Sequence, residues 1–430
     1  MQIVSQLLFL IALGTAIYVF SRRAAGIRRN ILRGRDVELN DQPGLRWKNL
    51  LLLAFGQKKM FRNPLVAVLH FFVYAGFLII NIEILEIIID GIAGTHRIFA
   101  PYLGGLYNVL IGCFEILAVL VAGGCLIFLI RRNILKLKRF ISNDLDGWPR
   151  SDANYILITE IALMLLFLTM NTADQVLQSR GAEHYIQTGP FWVTSHLTPL
   201  FSGLSDGTLA GIERGAWWLH ILGVLAFLNY LPFSKHLHII LAFPNAYYAD
   251  LRPKGKMENM PAIQQEVLYA MQPELAANAP ASDAVPKFGA KDVQDLTWKN
   301  LLDAYACTEC GRCSAACPAT QTGKALSPRL IMMKTRDRSE EAGKNGGDDG
   351  KSLLRDYITE EELRACTSCN ACVEECPVSI NPLHIILQMR RHLVMEESSA
   401  PAEWNMMFSN IENNMAPWKF SPDDRDAWVQ

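Results

Sequence analysis

Cys307-Thr308-Glu309-Cys310-Gly311-Arg312-Cys313-Ser314-Ala315-Ala316-Cys317-Pro318 is answered further along the chain by Cys366-Thr367-Ser368-Cys369-Asn370-Ala371-Cys372-Val373-Glu374-Glu375-Cys376-Pro377. Both runs read C-x2-C-x2-C-x3-C-P. Two short gaps point three sulfurs at one cubane, while the x3 step begins a helix that carries the fourth sulfur to a neighbouring cube. By that rule one [4Fe-4S] cluster takes Cys307, Cys310, Cys313 and Cys376, and the other takes Cys366, Cys369, Cys372 and Cys317. The small residues between the ligands leave room for inorganic sulfide. A zinc site needs only four sulfurs, and a disulfide framework belongs to small secreted domains, so neither accounts for two complete runs.

Outward from the cysteines the chain changes character. Its formal net charge of -1 conceals a segregation of charge from apolar runs. Five runs are long enough to cross a membrane: Met1 to Phe20, Leu65 to Ile89, Leu103 to Ile130, Tyr155 to Leu177 and Ala216 to Ala242. The first lacks a basic leader and a small-residue cleavage site, so it reads as a retained helix. Arg22, Arg23, Arg28, Arg29, Arg33 and Arg35 follow the first run, and Arg131, Arg132, Lys136, Lys138 and Arg139 follow the third. The other connections carry only Arg97, Arg180 and Arg214. The positive-inside rule then puts the amino terminus outside a cytoplasmic (inner) membrane and the cysteine half in the cytoplasm. Basic residues so placed give no reason to expect a nucleic-acid partner.

The expected organisation is a five-helix membrane bundle over residues 1–250 and a membrane-surface strip with a linker over 251–297. A mainly helical dicluster ferredoxin-like domain then covers 298–398, and a docking tail 399–430. Tyr247 and Tyr248 mark the exit from the membrane, and Gln264 to Met271 reads as a helix before a stretch rich in proline and alanine. Trp298 to Ala306 reads as an amphipathic helix, Ser327-Pro328 opens another, and Asn345 to Gly350 reads as a flexible insertion. Thr359 with Glu362 forms a capping-box pattern ahead of Cys366. Cys113 and Cys125 read as small buried hydrophobes.

His220 and His238 are eighteen residues apart. On one continuous helix they would share a face about 27 Å apart, one near each membrane surface. His70 would lie at the depth of His238, so the two make a natural pair of axial ligands for a b-type haem. His236 reads as a headgroup-region residue. Glu83, Glu86, Glu115 and Asp174 are costly in hydrocarbon and read as a proton path for a quinone, or simply as helix-mouth carboxylates.

Phe71 to Leu78, and Leu219-His220-Ile221-Leu222-Gly223 through Leu231-Pro232-Phe233-Ser234-Lys235-His236-Leu237-His238-Ile239, resemble the five-helix cytochrome b gamma subunit of respiratory nitrate reductase. The resemblance implies haem-ligand roles for His70, His220 and His238. That family has a further histidine ten residues after the first, where this chain has Ile80. Either His220 lines a quinone site, or His96, His184 or His196 replaces the missing ligand of a second haem.

The cysteine half, from Phe288-Gly289 through Cys313 and on to Leu326-Ser327-Pro328-Arg329, is similar to heterodisulfide-reductase-related iron-sulfur proteins. In many relatives a CCG domain follows; here the chain stops after Asn410 to Asn413 and Pro417-Trp418, which implies a CCG-type subunit supplied in trans. The chain therefore reads as an electron-transfer subunit linking quinone, haem b and two clusters to a cytoplasmic redox partner, without a catalytic residue set of its own. The alternative is a redox sensor signalling through its clusters. A plain membrane anchor with degenerate clusters fits poorly with eight intact cysteines.

Overall fold

The computed structural model describes residues 2–277, 287–347, 349–419, 421–424 and 426–429. The linker stretch 278–286, Asp348 of the expected insertion, and Phe420, Arg425 and Gln430 of the tail lie outside them. Helices account for the fold, and no β-strand occurs among the described residues.

Five helices are long and apolar enough to cross a membrane: α1 (Gln2–Ile31), α2 (Pro64–Ala93), α3 (Gly105–Asn133), α4 (Trp148–Ser179) and α5 (Asp206–Tyr230). Their ends are set by local chemistry. Asn63 accepts from the Val66 N–H at 3.3 Å where Pro64 opens α2, and Ser205 accepts from Thr208 N–H at 3.3 Å where α5 begins. Gly94, at φ 72°, closes α2 in the left-handed conformation. Each helix packs on the next in sequence and α5 returns to α1, so the five form a closed ring. Phe9, Ile80, Phe114, Phe167, Trp217 and Ile221 belong to its buried core. Cys125 is buried as expected, whereas Cys113 is exposed on the outer face of α3.

The fifth span departs from expectation. Pro232 has no N–H for a helix to use, and the chain leaves α5 through two 3-10 turns, Leu231–Phe233 and Lys235–Leu237. It then starts a separate helix, α6 (His238–Tyr247). His220 and His238 therefore do not lie on one continuous helix, and the shared-face argument fails. His220 also sits in mid-membrane, since its ring nitrogen meets Leu163, halfway along α4.

The cysteine domain is built on α7 (Trp298–Tyr305), α8 (Pro328–Asn345) and α9 (Pro382–Met395), with α10 (Ala402–Asn414) beyond them. Thr297 and Asn300 form a capping box at α7, and Thr359 and Glu362 form the expected one before Cys366. The segment after α8 is tied down, because Arg338, fully buried, reaches Asp349 at 2.7 Å and Asp292 at 2.7 Å. Trp404, Met406, Phe408 and Ile411 of α10 are exposed.

The domain is docked, not tethered. Arg23 of α1 pairs with Glu340 at 2.7 Å, Asn30 donates to the Tyr305 hydroxyl at 3.0 Å, and Arg33 donates to Ala342 C=O at 2.8 Å. Arg35 exchanges backbone hydrogen bonds with the segment entering α7, its N–H to Leu296 C=O at 2.7 Å and Trp298 N–H to its own C=O at 3.0 Å. Gly34 is needed there, since a Cβ would collide with the backbone of Thr297 and Trp298. Several arginines counted as membrane-flanking charge thus serve the interface. The strip after Tyr248 also lies against this domain, with Glu258 accepting from His384 at 2.8 Å and Gln388 at 2.6 Å.

At the centre of the interface Arg329 of α8 binds Asp144 in the α3–α4 loop, Nε to Oδ2 at 3.0 Å, and the Arg139 C=O at 2.8 Å. Burial pushes the Asp144 carboxyl up, but donation from Arg329, Ser142 and Ser327 outweighs it and holds the group below its ordinary value of 3.8. A depressed carboxyl stabilises fully above its ordinary value and loses that contribution as pH falls through the folded one. Asp144→Ala leaves the guanidinium buried and unpaired, at a cost of about 3–5 kcal/mol. Protease digestion at neutral pH should release the cysteine domain faster in this variant, and acidification below the ordinary value of the carboxyl should bring the parent protein toward it; equal digestion at neutral pH would show that the pair does not hold the domains together.

Candidate iron-sulfur and membrane redox site

The two cysteine loops share a backbone device. Glu309 and Gly311 have φ of 53° and 73°, and the matching Ser368 and Asn370 have 56° and 62°. Each second cysteine is thus flanked by left-handed residues, a conformation that turns successive N–H groups toward one side of a loop. Ser368 N–H approaches Cys366 Sγ at 3.4 Å and Ile380 N–H approaches Cys376 Sγ at 3.3 Å.

Cys307, Cys310, Cys313 and Cys376 line one cavity, together with Cys372, so thiols of both runs converge on it. The Cys366 and Cys372 thiols instead have Cys317 and Cys369 as charge neighbours. Burial pushes Cys307 and Cys372 up to about 12 and Cys376 up to about 11. Buried thiolates need a compensating positive charge, which iron supplies. Among the described residues no three histidine, cysteine, aspartate or glutamate side chains converge tightly enough for a single metal ion. Four thiols around a shared void suit a cube of several irons better than one zinc.

The first of these sites faces the membrane domain. Lys59, just before α2, donates to the Cys376 C=O at 3.0 Å, and Arg312 donates to the Lys59 C=O at 3.2 Å. Arg139 is a charge neighbour of Cys310, and Arg312 is one of His70. Glu309, inside the first loop, binds Lys235 at 2.5 Å and Arg336 at 2.9 Å. Burial raises this carboxyl, and the two cations more than reverse that. The second site lies beyond, with Cys369 exposed.

The three expected ligand histidines share one arrangement. His70 Nδ1 meets Gln57 Oε1 at 2.9 Å, His238 Nδ1 meets Lys235 C=O at 3.0 Å, and His220 Nδ1 meets Leu163 C=O at 3.0 Å. An oxygen acceptor at Nδ1 fixes the proton there and leaves the Nε2 lone pair for a metal or a donor. His70 and His238 are electrostatic neighbours beside the first cysteine site. The donor chemistry of this pair fits the axial ligation of a b-type haem. His220 stands apart, with Nε2 buried and unpartnered. His96 instead packs on His184 and Tyr185 at centroid distances of 5.5 and 5.1 Å, and neither it, His184 nor His196 lines the cavity at His220. The structure does not bring the loop histidines to that site.

The model of the 4Fe-4S dicluster domain matches residues 303–380. Over 99% of this chain and 61% of the relative, it is 28% identical to the probable iron-sulfur-binding oxidoreductase FadF of Bacillus subtilis. Over 93% of this chain and 56% of the relative, it is 27% identical to the EtfAB:quinone oxidoreductase of Syntrophomonas wolfei. A 148-residue stretch is 27% identical to a heterodisulfide reductase polypeptide of Methanosarcina acetivorans, covering 32% of this chain and 36% of that relative. The chain is a membrane iron-sulfur protein that is similar, over about a third of its length, to a heterodisulfide reductase polypeptide. It spans about 60% of the length of the first two relatives. No solved structure matches it. Iron-sulfur electron transfer at a membrane is the function common to these findings.

In this iron-sulfur protein the carboxylates at the far end of the bundle are mostly occupied. Arg97, 6% exposed, donates to Asp174 at 2.5 Å, Asn171 at 2.9 Å and the Tyr107 hydroxyl at 3.1 Å. Glu86 accepts from Tyr107 at 2.7 Å and Phe99 N–H at 2.9 Å. Glu115 accepts from Val193 and Thr194 N–H at 2.8 and 3.1 Å. These three pin the distal loops, while Glu83 keeps one buried oxygen without a partner. Sequence reasoning missed Gln57, Lys59, Arg312 and Glu160. The last carried the same signal as the others, a carboxylate within an apolar run.

Cluster assignment has a direct test. Cys376→Ser should remove the same reduced-state EPR signal as Cys310→Ser, although the two residues belong to different runs, and Cys317→Ser the same signal as Cys369→Ser. Each variant should retain about four of eight irons. Loss of the Cys369 signal in Cys376→Ser would refute crossed ligation.

Proposed function

We propose that the protein is a membrane-anchored electron-transfer subunit that connects a quinone to a cytoplasmic redox partner, through a b-type haem and two [4Fe-4S] clusters. His70 and His238 hold the haem. Cys307, Cys310, Cys313 and Cys376 hold the first cluster, and Cys366, Cys369, Cys372 and Cys317 hold the second. Bound there, the haem and clusters supply one-electron couples. The order in this reading runs from the histidine pair against the bundle, through the first cysteine site beside Lys59 and Arg312, to the second site with Cys369 exposed. In a cytoplasmic membrane the amino terminus lies outside and the cluster domain inside.

The observation that carries this reading is the junction of Lys59, Arg139 and Arg312, where loops of the membrane domain meet the first cysteine site next to His70. Quinone as the membrane reactant draws further support from the name of the Syntrophomonas relative. The soluble partner is a separate redox protein, of CCG type by the heterodisulfide reductase likeness. Exposed aromatic and methionine side chains of α10 are suited to its binding.

The purified protein should show a b-type absorption band on reduction with dithionite, and the same band with menadiol. His70→Ala and His238→Ala should each abolish it while both cluster signals persist. A well-folded parent protein with no haem band would defeat the haem assignment.

A further inference from the structure

Between the helices of the ring, in mid-membrane, lies a cavity formed by α2, α3, α4 and α5, about 70 Å³ in volume and open along one edge. It occupies the level of Ile80. Phe77 and Phe227 contribute aromatic walls, and Phe77 and Asn81 at its edge are exposed on the outer surface of α2. A ligand can therefore enter sideways from lipid. Besides Asn81 at the edge, two buried polar residues line this mostly apolar space. His220, 1% exposed, has its Nε2 without a partner. Glu160, 9% exposed, makes no hydrogen bond among the described residues, and His236 Nε2 lies 3.8 Å from its Oε1.

We propose that this cavity seats the quinone head group, with His220 fixing one ring oxygen and Glu160 passing the protons of the reaction. This deepens the quinone reading above and rests on it. A flat ring between two aromatic side chains, with a hydrogen-bonding group at one oxygen, is what a lipid-soluble quinone requires of a site. Its tail leaves by the open edge at Phe77 and Asn81. Quinol oxidation breaks two O–H bonds. Two electrons leave singly for the one-electron carriers on the cluster side, and two protons pass in turn through the Glu160 carboxylate to water, leaving the quinone. Reduction runs the same exchange backward. Glu160 faces His236, His220 and, from α3, Cys125. None of these is a fixed positive charge that would hold the carboxylate permanently ionised. Of the other membrane carboxylates, Glu86, Glu115 and Asp174 are committed to Arg97, Tyr107 and the loops, and Glu83, which keeps one oxygen unpartnered, does not line this cavity.

The experiment uses the full chain with its clusters, in lipid nanodiscs. Binding is read by quenching of the fluorescent quinol analogue 2-heptyl-4-hydroxyquinoline N-oxide, and electron entry by bleaching of the clusters with menadiol. Glu160→Gln keeps the shape of the site, so it should bind the analogue as the parent does and slow menadiol-driven bleaching by about 100-fold. Glu160→Asp should recover part of the rate. Val224→Trp, which fills the cavity, and His220→Phe should each weaken analogue binding by at least about tenfold. Iron content and dithionite bleaching equal to the parent identify correctly folded variants. Menadiol bleaching of Glu160→Gln at the parent rate would overturn the proposal, as would undiminished analogue binding by both His220→Phe and Val224→Trp. A parent protein that menadiol does not reduce at all would instead refute the quinone function itself.

Discussion

A guanidinium removed from water must find its counter-charge within reach, and Arg329, 1% exposed, finds it on Asp144 of the membrane domain. That one requirement fixes where the cysteine domain sits. Arg329 also reaches the Arg139 C=O, and a side chain on Gly311 would strike the same arginine, so the first cysteine loop is clamped to the loop between α3 and α4. Lys59, Lys235 and Asn245 extend the contact to every neighbouring segment on that face, at Cys376, Glu309 and Val378 respectively. Electrons need short, fixed separations, and a flexible tether would not provide them. The interface provides them with charge pairs that water does not screen.

Much of this is legible in the sequence alone. The cysteine spacing announces its own geometry, because the gaps leave few ways for three sulfurs to face one cube, and the apolar runs located all five spans. The Thr359–Glu362 capping pattern marks its helix correctly. The fifth span was misread at its end because hydropathy continues through Leu237 to Ala242, while the helix cannot continue through Pro232. The domain interface was invisible for a different reason. An arginine near a membrane surface looks the same in sequence whether it meets a lipid phosphate or a protein carboxylate, and Arg23, Arg33 and Arg35 meet protein. Histidine roles depended on partners at Nδ1 that are distant in sequence, such as Leu163 for His220, and no spacing rule reaches them.

The two ends of the bundle follow opposite designs. At the distal end, Arg97 gathers Asp174, Asn171 and Tyr107, and the neighbouring Glu86 and Glu115 accept loop N–H groups. Polar groups satisfied in this way rigidify a structure, and they are poorly suited to exchange protons without loosening it. At the cluster end, charge is spent on holding two domains together. Between these ends the cavity keeps His220 Nε2 buried without a hydrogen-bond partner and holds the Glu160 carboxyl near His236, which costs stability that a pair of leucines would not.

That contrast separates scaffold from chemistry more sharply than the mere presence of charge in a membrane helix. Glu86, Glu115 and Glu160 are equivalent in a hydropathy plot, since each is a carboxylate in an apolar run. They differ in what their oxygens touch. Two are closed by backbone donors, and the third looks into a space open to lipid beside a histidine whose tautomer is already set. In the proposed arrangement His70 and His238 stand beside the first cysteine site, and the mid-membrane volume beside Ile80 and His220 is left for a molecule that enters and leaves.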